Sequence, residues 1–103
     1  MKKIIVGCSN SKELAKKIAK ATKSDYSELL TRHFPDGELY LKFQCKLKGS
    51  EIVLVQSMHP NPDQAMIETI FASKTAKELG AEKVILVAPY LAIGFIFLFG
   101  ILQ

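Results

Sequence analysis

The sequence predicts an α/β fold: a mainly parallel sheet with flanking helices and an inserted strand pair or flap. Three observations predict it. Apolar runs of strand length recur at Ile4-Ile5-Val6, Ile52-Val53-Leu54-Val55 and Val84-Ile85-Leu86-Val87. Stretches of helical period follow the first and second runs. Between them, a stretch of period two around Leu39, Leu41 and Phe43 breaks the alternation. Right-handed crossovers then place most of the strands side by side in one parallel sheet. With 103 residues the chain can bury one modest core but cannot form two domains side by side.

Each element has a local cause. Ile4-Ile5-Val6 is β-branched and ends at Gly7, which reads as a buried strand feeding a tight turn. Asn10, with Glu13 three residues on, has capping-box spacing, and Leu14, Ala15, Ile18, Ala19 and Thr22 form one face of the helix that follows. From Tyr26 the period changes, and Phe34-Pro35-Asp36-Gly37 is a turn sequence. Lys48-Gly49-Ser50 makes a second turn before the continuous run at 52–55, which suits a central strand covered on both faces. Asn61-Pro62-Asp63-Gln64 supplies an N-cap, a proline at the first helical position, an early acid and a Gln at capping-box spacing. The helix is expected to run to about Leu79, with Thr69, Ala72, Ala76 and Leu79 on the sheet, and to stop at Gly80.

Composition narrows the function classes. Hydrophobic residues at 49% and charged residues at 23% are globular values and argue against a long disordered tail. A net charge of +4 permits contact with an anionic surface, but Lys12, Lys16, Lys20 and Lys23 fall at helical spacing without interleaved aromatics. They read as a solvated helix face, and no nucleic-acid motif is present. Cys8 and Cys45 lack metal-knuckle or Cys-x-x-Cys spacing, which favours two idle thiols in a reducing cytosol over a single disulfide. The apolar part of the N-terminus is too short for a secretory signal, so a cytoplasmic location is expected.

Ligands of parallel α/β sheets sit beyond the C-terminal strand ends, here residues 7–11, residues 56–61 and whatever follows Pro89. Gly7-Cys8-Ser9-Asn10-Ser11 stands where a helix N-terminus favours an anion, yet it lacks both G-x-G-x-x-G and the Walker pattern. A plain turn and N-cap explains it more simply. Arg32-His33-Phe34-Pro35-Asp36-Gly37-Glu38 gathers an aromatic, two carboxylates and a cation in one flap. Phe34 could stack on a flat base while Asp36 and Glu38 accept hydrogen bonds from an amine or ribose. On these residues alone, a surface turn with Phe34 as a core anchor and Asp36 serving a type I turn is the simpler reading. His33 and His59 have no acidic or Cys neighbours at ligand spacing, so no metal site is assigned. No nucleophile with an evident base is present, and no catalytic residue is assigned.

Taken together, Gly7-Cys8-Ser9 with Leu14-Ala15, Phe34-Pro35-Asp36-Gly37-Glu38, Val55-Gln56-Ser57 and Val87-Ala88-Pro89-Tyr90 resemble the N-terminal domain of ribose-phosphate pyrophosphokinase, in order, over residues 2 to about 92. The resemblance implies a phosphoribosyltransferase-like domain. It also implies the family reaction, in which Mg²⁺-dependent transfer of the diphosphoryl group of ATP to ribose 5-phosphate gives phosphoribosyl pyrophosphate and AMP. By the same resemblance Phe34 is the base-stacking residue, Asp36 and Glu38 are its polar partners, and the flap serves the adenine bound by a neighbouring subunit. The implied partners are therefore ATP and either a second copy of the chain or a full-length pyrophosphokinase subunit.

Beyond Tyr90 the resemblance stops. The family continues with Tyr-Ala-Arg-Gln-Asp, whose Arg and Gln contact ATP, whereas this chain has Leu91-Ala92-Ile93-Gly94-Phe95. The family's metal-binding His, catalytic Lys-Arg flap and ribose-phosphate loop lie past that point and map onto no residue here. The expected organisation is a pyrophosphokinase-like domain over residues 1–92 and a divergent apolar tail over residues 93–103. A truncated homologue that is inactive alone is the first expectation, and a non-catalytic subunit that assembles with a full-length enzyme is the alternative.

All charge lies before Val84, and residues 84–102 form an uncharged run of nineteen, close to a membrane-spanning length. A strand at 84–87 and Pro89 leave only a dozen residues, too few for a span. A membrane partner is therefore not expected. An exposed Phe95-Ile96-Phe97-Leu98-Phe99 would favour aggregation.

Overall fold

A computed structural model describes residues 1–89, and the expectations for Tyr90 and the tail lie outside that range. The chain runs β1 (Lys2–Gly7), α1 (Lys12–Thr22), β2 (Asp25–His33), β3 (Leu39–Phe43), β4 (Ser50–Val55), α2 (Pro62–Glu78) and β5 (Lys83–Val87). The five strands form one sheet in the order β3-β2-β1-β4-β5. β1 pairs in parallel with β2 and β4, β4 pairs in parallel with β5, and only β2 with β3 is antiparallel. The α/β class, the mainly parallel sheet and the strand pair are as the sequence predicts.

The strand pair grows out of the sheet rather than standing apart from it. The first half of β2 lies along β1, from Ile4 opposite Asp25 to Gly7 opposite Glu28. Its second half, residues 29–33, pairs with β3 instead. Glu28 is level with the end of β1, so at about 3.3 Å per residue the tip at Phe34 stands roughly 20 Å further along the strand.

Two apolar layers hold the sheet. α1 lays Ala15, Ala19 and the half-buried Ile18 on Ile5, Val53 and Val55. α2 lays Ala72 and Ala76 on Ile4, Val6, Ile52 and Leu54 on the other face, where Leu29 and Phe43 complete the layer. Small residues on both helices let the backbones approach the sheet closely. The same need acts at Gly7, where a Cβ would stand 2.8 Å from the Tyr26 hydroxyl and 3.0 Å from Lys12 Cα.

Four local expectations are corrected. Leu14 is 38% exposed, because it lies about 100° around the helix from Ala15, off the buried stripe. Thr22 is exposed and turns its hydroxyl back to the Ile18 carbonyl at 2.8 Å. Leu79 is 52% exposed, since α2 ends at Glu78 and Leu79 is already its C-cap. Finally, neither helix is closed by a side-chain cap: α1 starts one residue later than a cap at Asn10 requires, with Ser11 at the N-cap, and Asn61 makes no cap bond either. These side chains are engaged between loops.

Candidate functional site

Parallel pairing of β1 and β4 brings residues 8–11 and 56–61 together at the C-terminal edge of the sheet, as the sequence predicts. The ladder continues past the strands: Cys8 N–H donates to the Val55 carbonyl at 3.1 Å and Gln56 N–H to the Val87 carbonyl at 3.0 Å. Beyond it, side chains join the two loops. Asn10 Nδ2 donates to the Ser57 carbonyl at 3.0 Å and to Asn61 Oδ1 at 2.7 Å, and Ser57 N–H donates to Ser11 Oγ at 2.8 Å. The capping residues of both helices are thus spent on tying one loop to the other.

At the base of this clamp lies a carboxylate that sequence reasoning missed. Glu68, in the middle of α2, is 1% exposed. Its Oε1 accepts from Ser9 Oγ at 2.8 Å, and its Oε2 accepts from Ser9 N–H at 2.9 Å and from Gln56 Nε2 at 2.8 Å. Gln56, fully buried, accepts the Asn10 N–H on its Oε1 at 3.0 Å. A signal for Glu68 was available: it stands three residues after Ala65 and four before Ala72, on the stripe that faces the sheet. Burial and, secondarily, the Glu68 carboxylate push the Cys8 thiol well above its ordinary range, so it stays protonated and unreactive. Cys8 and Cys45 are both free thiols.

The N–H groups of Ser9 and Asn10 in this turn are therefore taken by Glu68 and Gln56. What remains open is a depression of about 460 Å³ bounded by residues 9–14, Ser57 and Pro89. Its wall carries the opposite charges of Lys12 and Glu13; Lys12 Nζ sits 4.0 Å from Glu28 Oε1, while Lys16 Nζ is 3.8 Å from Glu28 Oε2. Tyr26 donates to the same carboxylate at 3.1 Å; burial first, then that bond, pushes its hydroxyl up to about 12. Lys12, Lys16 and Lys20 are exposed on the outer face of α1, the solvated face that their spacing predicts.

The flap residues form a separate place. Phe34 accepts from Gly37 N–H at 2.9 Å and donates its own N–H to the Glu38 carbonyl at 2.9 Å, closing the hairpin between β2 and β3. Gly37 takes φ +91°, the left-handed region that glycine enters without strain. Asp36 Oδ1 accepts the Glu38 N–H at 3.0 Å, so this carboxylate serves the turn, as the simpler sequence reading has it. Phe34 is 46% exposed and is not a core anchor. The Glu38 side chain is exposed beside it. The structure gathers Phe34, Asp36 and Glu38 on one tip and keeps that tip away from the clamp at the sheet edge. Among the described residues, no three His, Cys, Asp or Glu side chains converge so as to hold a metal ion. No described helix is long and apolar enough to cross a membrane.

Comparison with known proteins fits this geometry. The family model for the N-terminal domain of ribose phosphate pyrophosphokinase matches residues 3–94. Ribose-phosphate pyrophosphokinase 1 of Archaeoglobus fulgidus is 38% identical over 89 residues, 86% of this chain and 31% of that protein. The enzyme of Methanothermobacter thermautotrophicus is 35% identical over 91 residues, 88% of this chain and 32% of that protein. Phosphoribosylpyrophosphate synthetase from Mycobacterium smegmatis superposes with a TM-score of 0.72 at 24% identity, over 85% of this chain and 30% of that one. A purine phosphoribosyltransferase from Pyrococcus horikoshii shares the fold at a TM-score of 0.62 and 13% identity, over 87% of this chain and 64% of that one. The chain spans about three-tenths of the length of the pyrophosphokinases it matches. It belongs to the ribose-phosphate pyrophosphokinase family and corresponds to that family's N-terminal domain.

Proposed function

We propose that the chain serves the transfer of a diphosphoryl group from ATP to ribose 5-phosphate by presenting its hairpin tip to an adenine. In this reading Phe34 stacks on the base and Glu38, with the free oxygen of Asp36, accepts hydrogen bonds from the exocyclic amine or ribose. The observation that carries it is the tip itself: an aromatic ring left half in water, roughly 20 Å past the sheet edge, on a turn whose shape Gly37 and Asp36 fix. A ring so far from its own sheet edge suits a site on a neighbouring subunit, either a second copy or a full-length pyrophosphokinase. The free thiols of Cys8 and Cys45 are compatible with the cytoplasmic location that this reading expects.

Among the described residues no cluster of three or more His, Cys, Asp or Glu is present to hold a Mg²⁺ by protein ligands alone. Diphosphoryl transfer depends on positioning and on cationic stabilisation of spreading charge, and in this reading the described residues contribute the adenine contact to it. We therefore expect the chain alone to release no AMP above background from ATP, Mg²⁺ and ribose 5-phosphate. Robust turnover by a homogeneous preparation overturns this.

A second reading rests on the same exposed tip: a non-catalytic subunit that lends Phe34 to a full-length enzyme. Co-purification with a full-length homologue supports it, and the absence of any complex at micromolar concentration counts against it.

A further inference from the structure

Strand, turn and helix N-terminus make a ready anion site, because the turn's N–H groups and the helix dipole point the same way. The β1–α1 turn has this layout, with the N–H groups of Ser9 and Asn10 directly ahead of α1. Both are already engaged, by Glu68 and Gln56. Among the described residues Glu68 forms no ion pair, although it is almost wholly buried. A buried carboxylate without a cation is tolerated only where donors replace its water, and here three do so: Ser9 N–H, Ser9 Oγ–H and Gln56 Nε2–H. Two residues of that arrangement come from loops and one from the middle of the opposite helix, the partners being 59 and 12 positions apart in sequence. Local turn geometry does not demand such a bond.

We propose that Glu68 is the turn's built-in anion: its carboxylate fills the oxyanion position of the β1–α1 turn, closes that turn to phosphate-bearing ligands, and fixes the loop that floors the sheet-edge depression. Glu68 is thus a positioning residue. A ligand phosphate at this edge is held by groups outside the turn. The inference does not depend on what the hairpin tip binds.

The test uses the whole chain and inorganic phosphate or formate as probes. In the unaltered protein, millimolar phosphate leaves the Ser9 and Asn10 amide resonances in place. Glu68→Ala frees the three donors around a carboxylate-sized hole, and its thermal midpoint falls by roughly 10 °C. Formate at tens of millimolar restores at least half of that loss, chloride at equal ionic strength does not, and phosphate now shifts the Ser9 and Asn10 amides. Glu68→Gln keeps the shape and decides the matter if the alanine variant does not fold: Ser9 amide exchange accelerates about tenfold or more while amides of the central strands stay protected. Phosphate shifts at Ser9 and Asn10 in the unaltered protein, rescue by chloride equal to that by formate, or unchanged Ser9 exchange in Glu68→Gln each overturn the proposal.

Discussion

The sheet-edge clamp and the β2–β3 hairpin spend similar side chains in opposite ways. In the clamp, Ser9, Asn10, Gln56 and Glu68 turn toward one another, and buried polar atoms are satisfied within the chain. On the hairpin, Phe34 and Glu38 face outward, and Asp36 commits one oxygen to the turn. The apolar contacts differ in the same direction: Val55 and Leu54 beneath the clamp are fully buried, whereas Leu30, Phe34 and Tyr40 on the hairpin are exposed. Residues that complete the fold and residues left exposed at the tip are thereby separated by about six positions of one strand. The proposed adenine contact rests on the exposure of this aromatic at a turn fixed by Gly37 and Asp36, more than on its mere presence in the sequence.

Substitutions can break this contrast. The largest loss of stability is expected in the clamp: Gln56→Leu strands the Asn10 N–H and removes one donor from Glu68, costing about 2–3 kcal/mol by chemical denaturation. A loss under about 0.5 kcal/mol would mean that the clamp is decorative. The opposite signature is expected at the tip. Phe34→Ala leaves stability within about 0.5 kcal/mol but lowers adenine-nucleotide affinity of an assembly containing the chain by roughly tenfold, the worth of one base–aromatic stack, measured by calorimetric titration. Equal binding by the variant removes Phe34 from the site.

A smaller effect is expected where the tip gets its shape. Gly37→Ala forces a Cβ into φ +91° and costs about 1 kcal/mol, although nothing lies within 4 Å to clash with it. The smallest effect concerns pH. The Tyr26 hydroxyl ionises near 12 in the folded chain and near 10 when unfolded, so the folded state holds the proton between those values. The Tyr26 contribution to stability is therefore full below pH 10 and is lost as pH rises through 12. Tyr26→Phe should flatten that part of the decline, and denaturation midpoints that fall just as steeply in the variant would assign the slope elsewhere. Cys8, also raised by burial, contributes in the same direction from its ordinary value of 9.0 upward.

Much of the fold was legible because its causes are local. Ile4-Ile5-Val6 and Ile52 to Val55 are apolar on every residue, which only a strand covered on both faces requires, and both lie at the sheet centre. Phe34-Pro35-Asp36-Gly37 encodes its own turn through Pro35, the Asp36 side chain and the left-handed Gly37. Pattern also identified the loops that meet at the sheet edge, since parallel crossovers return every strand in the same direction. The exposure of Phe34 was not legible: an aromatic beside a turn anchors a core as readily as it faces water, and only the pairing of β2 first with β1 and then with β3 carries the tip beyond the core.

By itself, then, the sequence determined the α/β order, the hairpin turn and the family, all written in neighbouring residues and their spacing. Tertiary structure alone decided what Asn10, Ser11, Gln56 and Glu68 do. Asn10 and Ser11 carry good capping chemistry, yet their partners lie 46 to 51 residues away. A side-chain donor pairs with whatever acceptor folding brings within 3 Å, and once the sheet had buried these loops together, leaving the long-range partners unpaired would have cost more than leaving two helix ends uncapped.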